Sequence, residues 1–145
     1  MKAPAIARLL GVAFLFAGAL GLAPFATPPA PLTAEYINLD ANYGMLFGVF
    51  PVNAALDVLY IILGGLGVIA SFDFKRAVIY LRVTTILCLV LVVLGTIPIT
   101  NTLFGAVPIY GYDVLLHLVA MLFAAWGGFL AGSVGEPNPE DFVSG

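Results

Sequence analysis

Charge is what this sequence has least of. Asp, Glu, Lys and Arg make up 9% of its 145 residues, against about 25% in a water-soluble domain. So few charges cannot cover a water-facing surface, and 62% of the chain is hydrophobic, which makes an integral membrane protein the expected class. Cysteine occurs once, as Cys88, which excludes an internal disulfide and a cysteine-built metal cage. That residue reads as a small apolar filler in a helix. Histidine also occurs once, as His117, so a zinc site would lack its other ligands and no metal is expected. The five basic residues form no polybasic arm, which argues against a nucleic-acid partner. No phosphate-binding glycine loop and no nucleophile–base pair occurs. Gly64-Gly65-Leu66-Gly67 falls in the middle of an apolar run, where glycine serves packing.

Apolar length is abundant. A spanning helix needs about 20 apolar residues, and four stretches qualify: 5–23, 54–72, 77–97 and 113–132. Open sheet edges cannot be satisfied in lipid, so these read as helices. The expected fold is all-α: a single domain over 1–145, built as an integral membrane four-transmembrane-helix bundle. An outer loop spans 25–53, and an acidic tail, 133–145, is expected on the cytoplasmic side. The first stretch also has the basic start and apolar middle of a signal peptide. Phe25, Ala26 and Thr27 make a poor cleavage site, which favours retention. Within the outer loop, 25–42 reads as proline-rich and irregular. The apolar segment 43–53 is too short to span and is expected at the membrane interface.

Basic residues orient the chain. Lys2 and Arg8 lie at the start, Lys75, Arg76 and Arg82 around the second connection, and the other two connections have none. The positive-inside rule then puts both termini and Lys75, Arg76 and Arg82 on the cytoplasmic side. Arg8 and Arg82 are close enough to that side for their long side chains to reach it.

The two halves are alike. LFGVFPVNAALDVLYII (46–62) and LFGAVPIYGYDVLLHLV (103–119) share Leu-Phe-Gly, a proline and Asp-Val-Leu, and the helices before them end in Gly-x-x-Pro at Gly21–Pro24 and Gly95–Pro98. The bundle therefore reads as two repeated helical hairpins in parallel orientation, not the inverted repeat common in transporters. Small residues favour helix contacts in membranes. Ala17 and Gly21, Gly64 and Gly67, and Ala120, Ala124 and Gly128 are the expected packing positions.

Asp57, Asp113 and His117 fall on the same stripes as these small residues, so they should point into the bundle. Two readings stand. Each carboxylate can cap the first turn of its helix. Alternatively, Asp57, Asp113 and His117 form a polar site at the outer mouth, able to hold a proton or cation, with the two carboxylates facing each other. No cofactor is predicted; a lone histidine leaves room only for a tetrapyrrole or other pigment at His117.

Gly48-Val49-Phe50-Pro51-Val52-Asn53, Tyr80-Leu81-Arg82 and Asp113-Val114-Leu115-Leu116-His117 together resemble a family of small bacterial four-helix membrane proteins, catalogued as domain of unknown function 4383. The resemblance covers about residues 43–133 and implies a four-span bundle in the bacterial inner membrane or an internal membrane such as a thylakoid. It brings no activity. After Pro-Val-Asn the family pattern has histidines where this chain has Leu56 and Tyr60, so a shared histidine apparatus would be reduced here to His117. The expected function is that of a non-enzymatic accessory or structural subunit, packing against a larger membrane complex or itself and contacting lipid or pigment. The alternative is a small proton- or ion-coupled carrier or sensor.

Overall fold

A computed structural model describes residues 2–32 and 34–131. The expected acidic tail, 133–145, lies outside the described residues, as does Gly132. The element order is α1 (Ala3–Gly21), β1 (Gly44–Leu46), β2 (Phe50–Val52), α2 (Ala54–Ala70), α3 (Phe74–Thr96) and α4 (Tyr112–Ala125), which continues as a π-helical turn over Trp126–Leu130. Three helices are long and apolar enough to cross a membrane: Ala3–Gly21, Phe74–Thr96 and Tyr112–Leu130. Ala54–Ala70 is a shorter apolar helix.

Local chemistry sets the ends. α3 begins three residues ahead of the expected 77 because the Asp73 carboxylate accepts the Arg76 backbone N–H at 2.8 Å, an N-cap hidden between two phenylalanines. α1 and α3 stop short of Pro24 and Pro98, since the residue before a proline is pushed out of the helical region. α4 widens to π geometry where Gly127 and Gly128 weaken the helix and Arg82 Nε donates to the Gly128 carbonyl at 2.9 Å.

The fold is not purely helical. The segment expected to lie flat at the interface folds as an antiparallel hairpin, with Gly44 opposite Val52 and Leu46 opposite Phe50. Its turn places Phe47 and Gly48 at φ of 53° and 71°, the left-handed region that favours glycine. Leu46 and Val52 point into the core. Pro51 is tolerated because a two-stranded sheet has only edge strands.

α1 packs chiefly on α2 and α3 chiefly on α4, and α1 also meets α3. The α1–α2 seam is made by backbone approach: a Cβ on Gly11 would sit 2.7 Å from the Val68 nitrogen, and one on Gly67 would sit 2.9 Å from the Gly11 Cα. The α1 contact face is therefore Gly11, Phe14, Gly18 and Gly21. Ala17, from the expected stripe, is half-buried and packs against the core beside this face, while the closest approach falls at positions without a Cβ. Gly21, Gly64, Gly67, Ala120, Ala124 and Gly128 are buried as expected.

One residue ties together the end of the bundle that carries the hairpin. Asn53, fully buried, caps α2 by accepting the Leu56 N–H at 3.0 Å. Its Nδ2 donates to the Leu39 carbonyl at 2.9 Å and the Ala106 carbonyl at 2.8 Å, joining the loops ahead of α2 and α4 to the helix start. Nearby, the Tyr43 hydroxyl donates to the Glu35 carbonyl at 2.9 Å, so the Tyr110 hydroxyl, 2.5 Å away, is the donor to Tyr43. Burial and the Tyr110 hydroxyl push the Tyr43 phenol well above its usual value, so Tyr43 stays protonated at neutral pH.

Candidate functional site

The stripe spacing that turns Asp113 and His117 inward also brings Tyr60 of α2 against them. All three are buried, at 1%, 1% and 2% exposure. The Tyr60 hydroxyl donates to Asp113 Oδ1 at 2.9 Å and lies 3.2 Å from His117 Nε2. His117 Nδ1 is 3.0 Å from Asp113 Oδ2 and 2.9 Å from the Asp113 carbonyl. The result is a hydrogen-bonded triad joining one helix pair to the other, in which the imidazole Nδ1 bonds the Asp113 backbone carbonyl and Asp113 Oδ2, though close, has no hydrogen-bond partner among the described residues. Phe14 of α1 lies against its Tyr60 side, with ring centroids 5.5 Å apart.

Donor counting constrains the protons in this triad. The Tyr60 hydroxyl has one hydrogen and gives it to Asp113, so the contact with His117 Nε2 needs the hydrogen to come from the imidazole. His117 Nδ1 also faces two acceptor oxygens and must share a hydrogen with them. Every contact is satisfied only if Asp113 and His117 together hold one proton more than a carboxylate and a neutral imidazole would. That proton satisfies the contacts only on the imidazole, with a hydrogen on both Nδ1 and Nε2; on Oδ2 it would leave Nδ1 bare against the Asp113 carbonyl. Without it, one contact opposes two acceptors, or Tyr60 turns to Nε2 and leaves Asp113 Oδ1 unpaired. In a low-dielectric interior an unpaired buried polar group is costly.

Asp57 has a different setting. It is fully buried, and neither carboxylate oxygen accepts a hydrogen bond among the described residues. It lies against the end of α1, where a Cβ on Gly21 would overlap the carboxylate, which is why that position carries glycine. The Gly21 carbonyl accepts from Thr27 Oγ1 at 3.0 Å and Asn42 Nδ2 at 2.7 Å, and the Asn42 amide lies beside Asp57. The structure thus brings Asp113 and His117 together, and seats Asp57 against α1.

Asn53 is the side-chain cap of α2 and Gly111 heads α4 without one, while Asp57 and Asp113 both lie in the first turn of their helices, where the helix dipole favours a carboxylate. Tyr60 lies a turn after Asp57 on the inward stripe, where a packed ring is expected to find a backbone or carboxylate partner for its hydroxyl, and that partner is Asp113. Among the described residues no group of three or more His, Cys, Asp or Glu is arranged to hold a metal ion. Lys75 and Arg76 sit in the first turn of α3, and Arg82 reaches the Gly128 carbonyl.

A family model described as a domain of unknown function (DUF4383) matches residues 5–130. No curated protein and no solved structure matches the chain.

The two aspartates should respond oppositely to the neutral isostere. Asp57→Asn removes a buried charge that accepts no hydrogen bond, and thermal unfolding in detergent should show unchanged or raised stability. Asp113→Asn sets an amide against the donors of the triad and should cost about 1–3 kcal/mol. The reverse order would contradict the assigned partners.

Proposed function

The chain belongs to the DUF4383 family, and because a domain of unknown function lends no activity, we propose one from the geometry. The chain is a small non-enzymatic multi-pass membrane protein whose helix packing responds to protons through Tyr60, Asp113 and His117. The observation that carries this reading is the triad itself, whose hydrogen bonds are all satisfied only when the imidazole carries a hydrogen on both nitrogens. An ionisable group inside a membrane segment is a functional candidate by default. Loss of that proton leaves a net negative charge and a broken contact between α2 and α4, which favours a different packing of the two helices. Asp57 and Cys88 are the other titratable groups that bear on Tyr60. Of the expected carrier and sensor roles, the reading takes the sensor.

All four helices cross the bilayer in this reading. The 17 residues of α2 cover about 25 Å, at the short end for a span. The placing of Lys and Arg supports cytoplasmic termini and an outer face made by the hairpin and Asn53. The family resemblance supports a bacterial inner membrane or an internal membrane such as a thylakoid. Duplication of a helical hairpin is supported by the backbone: Phe47-Gly48 and Phe104-Gly105 both take left-handed angles, φ 53° and 71° against 59° and 87°.

Spin labels at Ile62 on α2 and Val119 on α4, both 54% exposed, test the proposal in a Cys88→Ala background. Their separation should change with pH in the otherwise native chain and stay fixed in His117→Gln. A pH-invariant separation with His117 present would contradict the proposal.

A second reading, the accessory or structural subunit, is favoured by an open apolar groove between α1 and α4. Its volume is about 180 Å³, and Leu10, Ala13, Phe14, Ala17, Leu116 and Ala120 line it. Small residues at a lipid-facing groove suit the close approach of another helix, from a larger membrane complex or a second copy. Native electrophoresis from the source membrane in mild detergent should then show a species well above 15.2 kDa; a lone monomer would contradict this reading.

A further inference from the structure

All five Lys and Arg side chains gather at one end of the bundle. Lys2 and Arg8 belong to the start of α1 and Lys75, Arg76 and Arg82 to the first half of α3, and α2 and α4 finish beside them. Of the described acidic residues only Asp73 lies there, and its carboxylate is occupied as the α3 cap. Among the described residues the ion pair is that of His117 with Asp113, so no Lys or Arg is matched by a carboxylate.

Two of these cations are held in the same way. Arg8 Nε donates to Ser71 Oγ at 3.3 Å, with its guanidinium 5.6 Å from the centre of the Phe72 ring. Arg82 Nε donates to the Gly128 carbonyl at 2.9 Å, with its guanidinium 5.3 Å from the centre of the Phe129 ring. In each case a first helix of a pair sends an arginine to the last turn of the second, where a hydrogen bond and an aromatic face fix the guanidinium plane. The Nη donors of both have no partner among the described residues. A planar fork of free N–H groups matches the oxygens of a phosphate. Phe72 and Phe129 are 78% and 48% exposed, so the surface beside each fork is apolar. Arg8 lies about 9 Å along α1 from Lys2, and Arg82 about 12 Å along α3 from Phe74, a depth near the border between headgroup and hydrocarbon.

We infer that Arg8 and Arg82 form two equivalent phosphate-binding positions for anionic phospholipid, with Phe72 and Phe129 receiving the apolar part of the same lipid molecule. The apolar neighbours favour a lipid headgroup over free phosphate, since free phosphate has nothing to place against the rings. Basic pockets between helix ends on the cytoplasmic side are a known setting for such headgroups. The inference rests on the membrane location alone and is independent of the Tyr60–Asp113–His117 triad.

The test is native mass spectrometry of the full chain in neutral detergent, titrated separately with phosphatidylglycerol, phosphatidylcholine and inorganic phosphate. The unaltered chain should retain phosphatidylglycerol in preference to phosphatidylcholine. Arg8→Gln and Arg82→Gln should each weaken that retention about fivefold, and the double variant should abolish the preference. Where a Gln variant fails to fold, Arg→Lys at the same position keeps the charge and the stem, and should still lose preference because the fork is gone. Equal retention of the two lipids, unchanged retention in the double variant, or displacement of phosphatidylglycerol by inorganic phosphate alone would each overturn the inference. The pH-dependent separation of α2 and α4 should persist in these variants, so failure here and failure of the proton reading are read independently.

Discussion

A low-dielectric interior demands that every polar group it admits find its partner inside. In this bundle Tyr60, Asp113 and His117 answer much of that demand among themselves, while Asp113 Oδ2 and both oxygens of Asp57 accept no hydrogen bond among the described residues. The triad links α2 to α4 across a seam that α1 and α2 also make with α3. In the proposed reading its contacts depend on a proton, and the packing inherits that dependence. Glycine makes the rest possible: Gly11, Gly64 and Gly67 let α1 and α2 touch backbone to backbone, and Phe14 follows onto the face of Tyr60.

The two ends of the molecule have opposite chemistry. At one end carboxylates, amides and phenols meet in a cap fastened by Asn53 and the Tyr43–Tyr110 pair. At the other, arginines stack over phenylalanines and have no carboxylate to neutralise them among the described residues. Such a separation of charge is what an asymmetric bilayer selects. Asp57 belongs to the first end but not to the triad. It sits where the carbonyl end of α1 meets the start of α2, in a space that exists only because Gly21 lacks a side chain.

Much of this was legible in the sequence because membrane chemistry leaves few choices. Apolar length gave the helices, and the stripe spacing on α4 gave the inward direction of Asp113 and His117. Cap chemistry set finer boundaries: Asp73, between two phenylalanines, carried α3 three residues further back than the apolar run suggested. The hairpin at Gly44–Val52 was hidden because three-residue strands carry almost no periodicity and one of them holds a proline. The closest approach in the α1 seam was not legible because alanines and glycines both count as small, and only the backbone distance separates them. A carboxylate partner for Tyr60 was legible in kind, but which carboxylate was not, since Asp113 lies 53 residues away in the chain.

The central claim is that Tyr60 and Asp113 are coupled across the interface between the two helix pairs. A double-mutant cycle on unfolding free energy, with Tyr60→Phe, Asp113→Asn and the combination, measures that coupling directly. The account predicts an interaction of about 0.6–1.7 kcal/mol, the range found for hydrogen bonds between membrane helices. Costs that add to within about 0.3 kcal/mol would mean that the two residues act independently, and that the triad does not hold the bundle together.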